Sequence, residues 1–134
     1  MIQKDYQKME KFTRLVSDLE NMDKDAKLQY FIQQLCDLNH ETVEMLKTGN
    51  IELLYKMNET VENIYAVQSK GKEEAYQAIE EDCQIIYKNF NAIITMLNSN
   101  DKDELDKATS EAVRKFLHNI FDANVRIVHA YGLA

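Results

Sequence analysis

The chain lacks residues that break regular structure: its 134 residues include no proline, no tryptophan and three glycines. All-β sandwiches and barrels use proline and glycine in frequent tight turns, so this scarcity argues against them. The glycines are too few for a phosphate-binding loop, and no GxSxG motif is present. The longest uninterrupted apolar run covers residues 64–67, which is far too short to cross a bilayer.

Cysteine and positive charge are scarce as well. Cys36 and Cys83 form neither a CxxC motif nor a disulfide framework, so we expect two reduced thiols. The first residues are charged and carry no apolar segment of the kind found in secretory signals, so we expect a cytoplasmic protein. Lysine and arginine number 16 against 23 aspartates and glutamates, and the net charge of −7 argues against nucleic acid as a partner. Lysine outnumbers arginine thirteen to three, a bias typical of AT-rich bacterial or phage genomes.

Apolar side chains recur every three or four positions through almost the whole chain, and they make up 45% of it together with tyrosine and cysteine. This period predicts amphipathic helices, and no segment shows the alternation of a half-buried strand. The periodic segments cover residues 2–22, 28–46, 54–65, 79–97 and 105–127. We therefore predict an all-α fold, a single helical-bundle domain over residues 1–134 with four or five antiparallel helices in up-and-down order.

Breaks between the helices are signalled by a few polar residues and glycines. Asp23 or Asp25 can cap the start of the second segment, because an aspartate accepts hydrogen bonds from free backbone amides. Gly49 can adopt the left-handed conformation that ends a helix, and Asn50 can cap the next one. Gly71 is a weaker break, so residues 51–98 could form one helix or two.

The predicted core includes large residues from three segments: Leu35, Ile86, Phe90, Phe116 and Ile120. The last segment also carries a second apolar stripe beside the first. Together the two stripes form an apolar arc that is wider than packing against one core requires. We predict that Leu117, Phe121 and Val128 on this stripe form an interface with a protein partner or with a second copy of the chain. No membrane contact is expected.

Two acidic residues and one histidine in the second segment have the spacing of metal ligands. Asp37 and His40 are separated as in the acid-x-x-His motif of di-iron bundles, and Glu44 follows one turn later. A di-iron bundle needs two inward-facing copies of this motif, whereas the apolar stripe places these residues on the outer face. We therefore expect no metal and no cofactor.

His40 and Glu41 support a different hypothesis. An exposed histidine followed by an acid resembles the phosphoacceptor of histidine-kinase dimerisation and phosphotransfer bundles. The resemblance implies that His40 accepts a phosphoryl group from a partner, since an accessible imidazole is a sufficient nucleophile. The Lys-Gly pair that usually follows the histidine in monomeric phosphotransfer domains is replaced by Thr42-Val43.

The last segment offers a third hypothesis. Arg126, His129 and Tyr131 resemble the end of the ribonuclease motif of helical HEPN-type toxins, in which arginine and histidine flank the phosphate. The resemblance implies RNA hydrolysis by Arg126 and His129. The spacer between them is shorter than in the family and separates the two side chains by about 60° around a helix.

The chain contains no complete catalytic set. This favours a non-catalytic helical protein that acts through protein–protein interaction, as an adaptor, a chaperone-like protein or an inhibitor. Histidine phosphotransfer through His40 and RNA hydrolysis through Arg126 and His129 are the alternatives.

Overall fold

A computed structural model describes residues 14, 17–18, 21–70, 74–99 and 107–130. Its helices are α1 (Lys24–Thr48), α2 (Leu53–Lys70), α3 (Glu74–Ala78), α4 (Glu80–Ser99) and α5 (Lys107–Ala130). The described ranges contain no strand, and the fold is an all-α helical bundle, as predicted. The apolar stripe of residues 2–22 lies almost entirely outside the described residues.

The sequence offered two aspartates, Asp23 and Asp25, as the capping residue of α1. Asp23 is the capping residue: its Oδ1 accepts from the backbone N–H of Ala26 at 2.7 Å. Asp25 lies in the first turn, where its negative charge interacts favourably with the positive end of the helix dipole. The cap therefore fixes where α1 begins.

The reversal after α1 has the predicted geometry. Gly49 has φ 65° and ψ 16°, the left-handed conformation that glycine adopts without strain, and its N–H donates to the carbonyl of Met45. Asn50 Oδ1 then accepts from the N–H of Glu52 at 3.1 Å. A tight turn therefore leads directly into α2 and makes α1 and α2 antiparallel neighbours.

The long helices form a closed ring of neighbours, in which α1 packs against α2 and α5, and α4 packs against α2 and α5. Cross-helix hydrogen bonds show their directions. Between α1 and α2, Asn63 bonds to Gln34 and Thr60 bonds to Glu41, so one helix ascends as the other descends. The pairs Asn119–Asn89 and Arg126–Asp82 show the same antiparallel direction between α4 and α5.

The core lies between these four helices, and most of the sequence prediction for it is confirmed. Leu35, Ile86 and Ile120 are fully buried, and Phe90 is 2% exposed. Each helix contributes residues at three- and four-residue spacing, as the period predicts. Further buried side chains include Phe31, Leu38, Leu54, Met57, Ile64, Cys83, Ile93 and Ile127.

One predicted core position is wrong. Phe116 is only partly buried, whereas its neighbour Leu117 is 1% exposed and belongs to the core. Helix α5 lies between α4 and α1, so its buried arc is centred between the two apolar stripes instead of on the first. Tyr65 closes the apolar stripe of α2 in the sequence, yet it is 47% exposed at the edge of that helix.

The break near Gly71 separates two long helices. Helix α2 ends at Lys70, and α4 begins at Glu80 after the short helix α3. Tyr76 of α3 is buried and packs edge-on against Phe31 of α1, with ring centroids 5.3 Å apart. An aromatic contact thus holds the connection against the bundle.

Asn124 is a polar residue inside the bundle, with 1% of its surface exposed. Its Nδ2 donates to the backbone carbonyl of Leu35 at 2.8 Å, while its Oδ1 has no partner among the described residues. A shifted pairing of α1 and α5 would leave the amide wholly unsatisfied, at a cost of about 1–3 kcal/mol. Asn124 therefore favours one register between these helices.

Candidate functional sites on the outer faces of the bundle

The outer flank of α5 carries a contiguous apolar surface, here called the α5 strip: Phe121, Val125 and Val128. Val125 is 44% exposed, and Phe121 and Val128 are half-buried on either side of it. Spacings of four and three residues place the three side chains on one face of the helix. The described helices leave this flank accessible, although they bury the neighbouring Leu117.

The α5 strip corrects the sequence prediction of an interface formed by Leu117, Phe121 and Val128. Leu117 is inside the core and is not accessible, whereas Val125 occupies the centre of the exposed flank. Phe121 and Val128 keep accessible surface. The period identified the two stripes, but it did not show which residue of the second stripe would turn inward.

Polar groups border the α5 strip. Arg114 lies on the side of α5 that faces α1, and its Nη1 donates to the carbonyl of Leu46 at 2.9 Å. His118 and Asp122 are exposed beside the strip. From Thr109 to His129, α5 carries three basic and two acidic residues, and one of the basic residues, Arg126, is turned toward Asp82 of α4.

The structure does not bring Arg126 and His129 together in a cleft. The Nε of Arg126 bonds to Asp82 of α4 at 2.8 Å, and the arginine points toward that helix. His129 is exposed about 60° further around α5. One chain therefore does not form the arrangement that the ribonuclease hypothesis requires. Tyr131 lies outside the described residues.

His40 is exposed on the outer face of α1, about two-thirds of the way along the helix. Asp37 and Glu44 are half-buried near it; Asp37 accepts from the amide of Gln33 at 3.0 Å. Glu41 follows His40 directly but turns toward α2, where its Oε2 accepts from the hydroxyl of Thr60 at 3.2 Å. His40 is therefore accessible, while the acid beside it belongs to the contact between two helices.

Burial raises the pKa of the Glu41 carboxyl above its ordinary value. The acidic side chains of Asp37 and Glu59 raise this pKa further, whereas the Thr60 hydrogen bond and the charge of Lys56 lower it. The second oxygen, Oε1, is buried without a hydrogen-bond partner among the described residues. The ionised form of Glu41 is therefore poorly solvated in the folded bundle.

We expect the substitution Glu41→Gln to raise the free energy of unfolding at neutral pH. A raised folded-state pKa means that protonated Glu41 stabilises the fold below the ordinary glutamate pKa, and this stability is lost as pH rises through the folded-state value. Glutamine keeps the acceptor for Thr60 and never ionises. Urea unfolding at pH 4 and pH 7 should show a gain over wild type that is larger at pH 7.

Glu44→Gln, one turn along α1, is the matched control for this substitution, because it removes the same charge from the same helix. If both variants change stability equally at both pH values, the effect is general charge reduction and the local account of Glu41 is wrong.

No metal site or membrane span is visible in the parts of the chain that the structure describes. Across those ranges, no three histidine, cysteine, aspartate or glutamate side chains lie close enough to hold a metal ion. None of the described helices combines the length and the apolar character needed to cross a membrane.

Comparison of the chain with protein-family models, with curated proteins and with solved structures finds no match. Function therefore has to be inferred from the chemistry of the surface.

Proposed function

We propose that this protein binds another protein through the α5 strip. The supporting observation is the 44% exposure of Val125 between the half-buried Phe121 and Val128. A monomeric protein gains nothing from leaving such a contiguous apolar flank in water, whereas a partner that covers it removes that surface from solvent. We also propose that both proteins are cytoplasmic, because Cys36 and Cys83 are free thiols, which persist in reducing compartments.

The shape of the α5 strip favours an amphipathic helix of the partner. Three apolar side chains within about two turns match the anchor spacing of a helix that lies along a helical surface. Complete burial contributes about 1.5–3 kcal/mol for each large apolar side chain before the costs of association. Half-buried Phe121 and Val128 contribute less than this. An interface of useful strength therefore also needs the polar rim around the strip.

The rim of the α5 strip supplies selectivity. Arg114 lies in line with the α5 strip, two turns before Phe121, and His118 and Asp122 lie on its solvent side. Charges at the edge of an interface affect the rate of association and the choice of partner more than the total affinity. Because Arg114 lies in line with the strip at its N-terminal end, a partner helix with an acidic residue at that end fits this rim best.

Affinity purification with three forms of the protein tests this proposal. Wild type and Tyr55→Asp should retain the same partner, and Val125→Asp should lose it. Tyr55 is the matched control, because it is also 44% exposed but lies on α2. A partner retained equally by all three forms would contradict the proposal. So would a protein that binds only a second copy of itself, which light scattering during size-exclusion chromatography would reveal.

Histidine phosphotransfer through His40 is the second candidate function, favoured by the exposure of His40 on a long helix. A ring nitrogen would attack the phosphorus of a donor phosphoryl group, forming a phosphorus–nitrogen bond as the bond to the donor breaks. Protein isolated from producing cells should then carry acid-labile phosphate that His40→Gln removes and His118→Gln leaves in place. Equal labelling of wild type and His40→Gln would exclude this function.

A further inference from the structure

Tyr65 of α2 and Tyr87 of α4 form an aromatic pair across the seam between their helices. Their ring centroids are 5.4 Å apart with planes at 81°, an edge-to-face contact. Tyr65 is 47% exposed, so the ring presents a large part of its surface to solvent. This tyrosine pair lies on the far side of the bundle from the contact between α1 and α5.

The tyrosine pair is held in place from inside the bundle. The hydroxyl of Tyr87 donates to Oε1 of Gln68 at 3.1 Å, and Cys83 lies one turn before Tyr87 on the same face of α4. Cys83 is fully buried, and burial raises the pKa of its thiol to about 12. The thiol is therefore protonated and inert. Because Tyr87 is anchored, Tyr65 rests on a fixed partner.

The helices around the tyrosine pair are acidic. From Glu52 to Gln68 and from Glu80 to Asn98, the chain carries six acidic and two basic residues. Glu62 lies one turn from Tyr65 on the same face of α2. Of the two basic residues, Lys56 interacts with Glu41 on the α1 side, and Lys88 lies about 100° around α4 from Tyr87. Asp82 pairs with Arg126 of α5, and the other acidic residues, including Glu62 one turn from the ring, leave these two helices with a net negative charge.

We propose that the tyrosine pair and Glu62 bind an arginine- or lysine-bearing segment of a partner protein. The electron-rich face of a tyrosine ring attracts a guanidinium or ammonium group, and a neighbouring carboxylate pairs with the same cation. The α5 strip is apolar, so it would take a different segment. This second surface does not depend on the α5 strip.

Binding of a fluorescein-labelled hexa-arginine peptide, followed by fluorescence anisotropy at low salt, tests this proposal. Tyr65→Leu should weaken binding about three- to fivefold, the size of effect expected for a cation on an exposed ring. Tyr65→Phe should bind as wild type does, because the ring is retained. Glu62→Gln should weaken binding by a similar factor.

Two control variants separate this site from general attraction between opposite charges. Tyr55→Leu removes the other exposed tyrosine of α2, and Glu111→Gln removes an acid from α5; neither should change the affinity. Equal weakening by Glu62→Gln and Glu111→Gln would overturn the proposal, as would unchanged binding by Tyr65→Leu. Circular dichroism of each variant confirms that the helices are intact.

Discussion

The substitution Phe90→Ala should lower the free energy of unfolding by about 3–5 kcal/mol, the range measured when large aromatic core residues are truncated. Phe90 is 2% exposed and lies in the centre of α4, within the core that all four long helices share. Removing the ring loses its burial and leaves a cavity that helices packed on every side cannot fill. A domain of this size is stable by about 5–15 kcal/mol, so the loss is a large share of the total.

Phe116→Ala is the informative comparison, because it removes the same ring from α5. Phe116 is only partly buried, so we expect a loss of about 1–2 kcal/mol. Urea unfolding followed by circular dichroism measures both variants. Equal losses would mean that Phe116 is as buried as Phe90, and would contradict the orientation of α5.

A second pair of substitutions tests which residues of α5 face inward. Leu117→Asp should cost more than about 4 kcal/mol or unfold the protein, because it places an unpaired charge in the core. Val125→Asp should cost less than about 1 kcal/mol, because residue 125 is open to water. Both substitutions replace an aliphatic residue of the same helix by the same acid, so helix propensity does not explain a difference.

Val125→Asp should at the same time weaken association with the partner about 30-fold or more, a loss typical of a central interface residue. Phe121→Asp should do the same while the domain stays helical. If Phe121→Asp unfolds the protein, Val125→Asp still decides the outcome, since its side chain is the most exposed of the α5 strip. A stable Val125→Asp variant with unchanged affinity would show that the partner binds elsewhere.

The fold could be predicted because local signals agreed with the global arrangement. The period of the apolar residues defined the helices, and Gly49 with Asn50 defined the reversal. These signals depend on residues that are close in sequence, so they do not depend on how the rest of the chain packs. The number of helices between residues 51 and 98 could not be predicted, because a single glycine costs too little to decide whether a helix ends.

The surface could be predicted only in part. Period alone assigns a residue to a stripe, but the neighbours of a helix decide which part of a wide stripe turns inward. Contacts of α5 with both α4 and α1 bury Leu117 and leave Phe116 and Val125 more open. The exposure of Tyr65 has the same cause, since it depends on how α2 lies against α4. The second apolar stripe of α5 indicated an exposed flank on this helix. It did not identify Val125 as the central residue of that flank.

Site-specific photo-crosslinking tests the central claim most directly. A benzophenone amino acid placed at position 125 should capture a partner protein in producing cells, while the same group at exposed position 81 on α4 should not. Capture at position 125 should disappear when Phe121→Asp is added to the same chain. Capture of the same protein at both positions, or at position 125 regardless of Phe121→Asp, would contradict binding through the α5 strip.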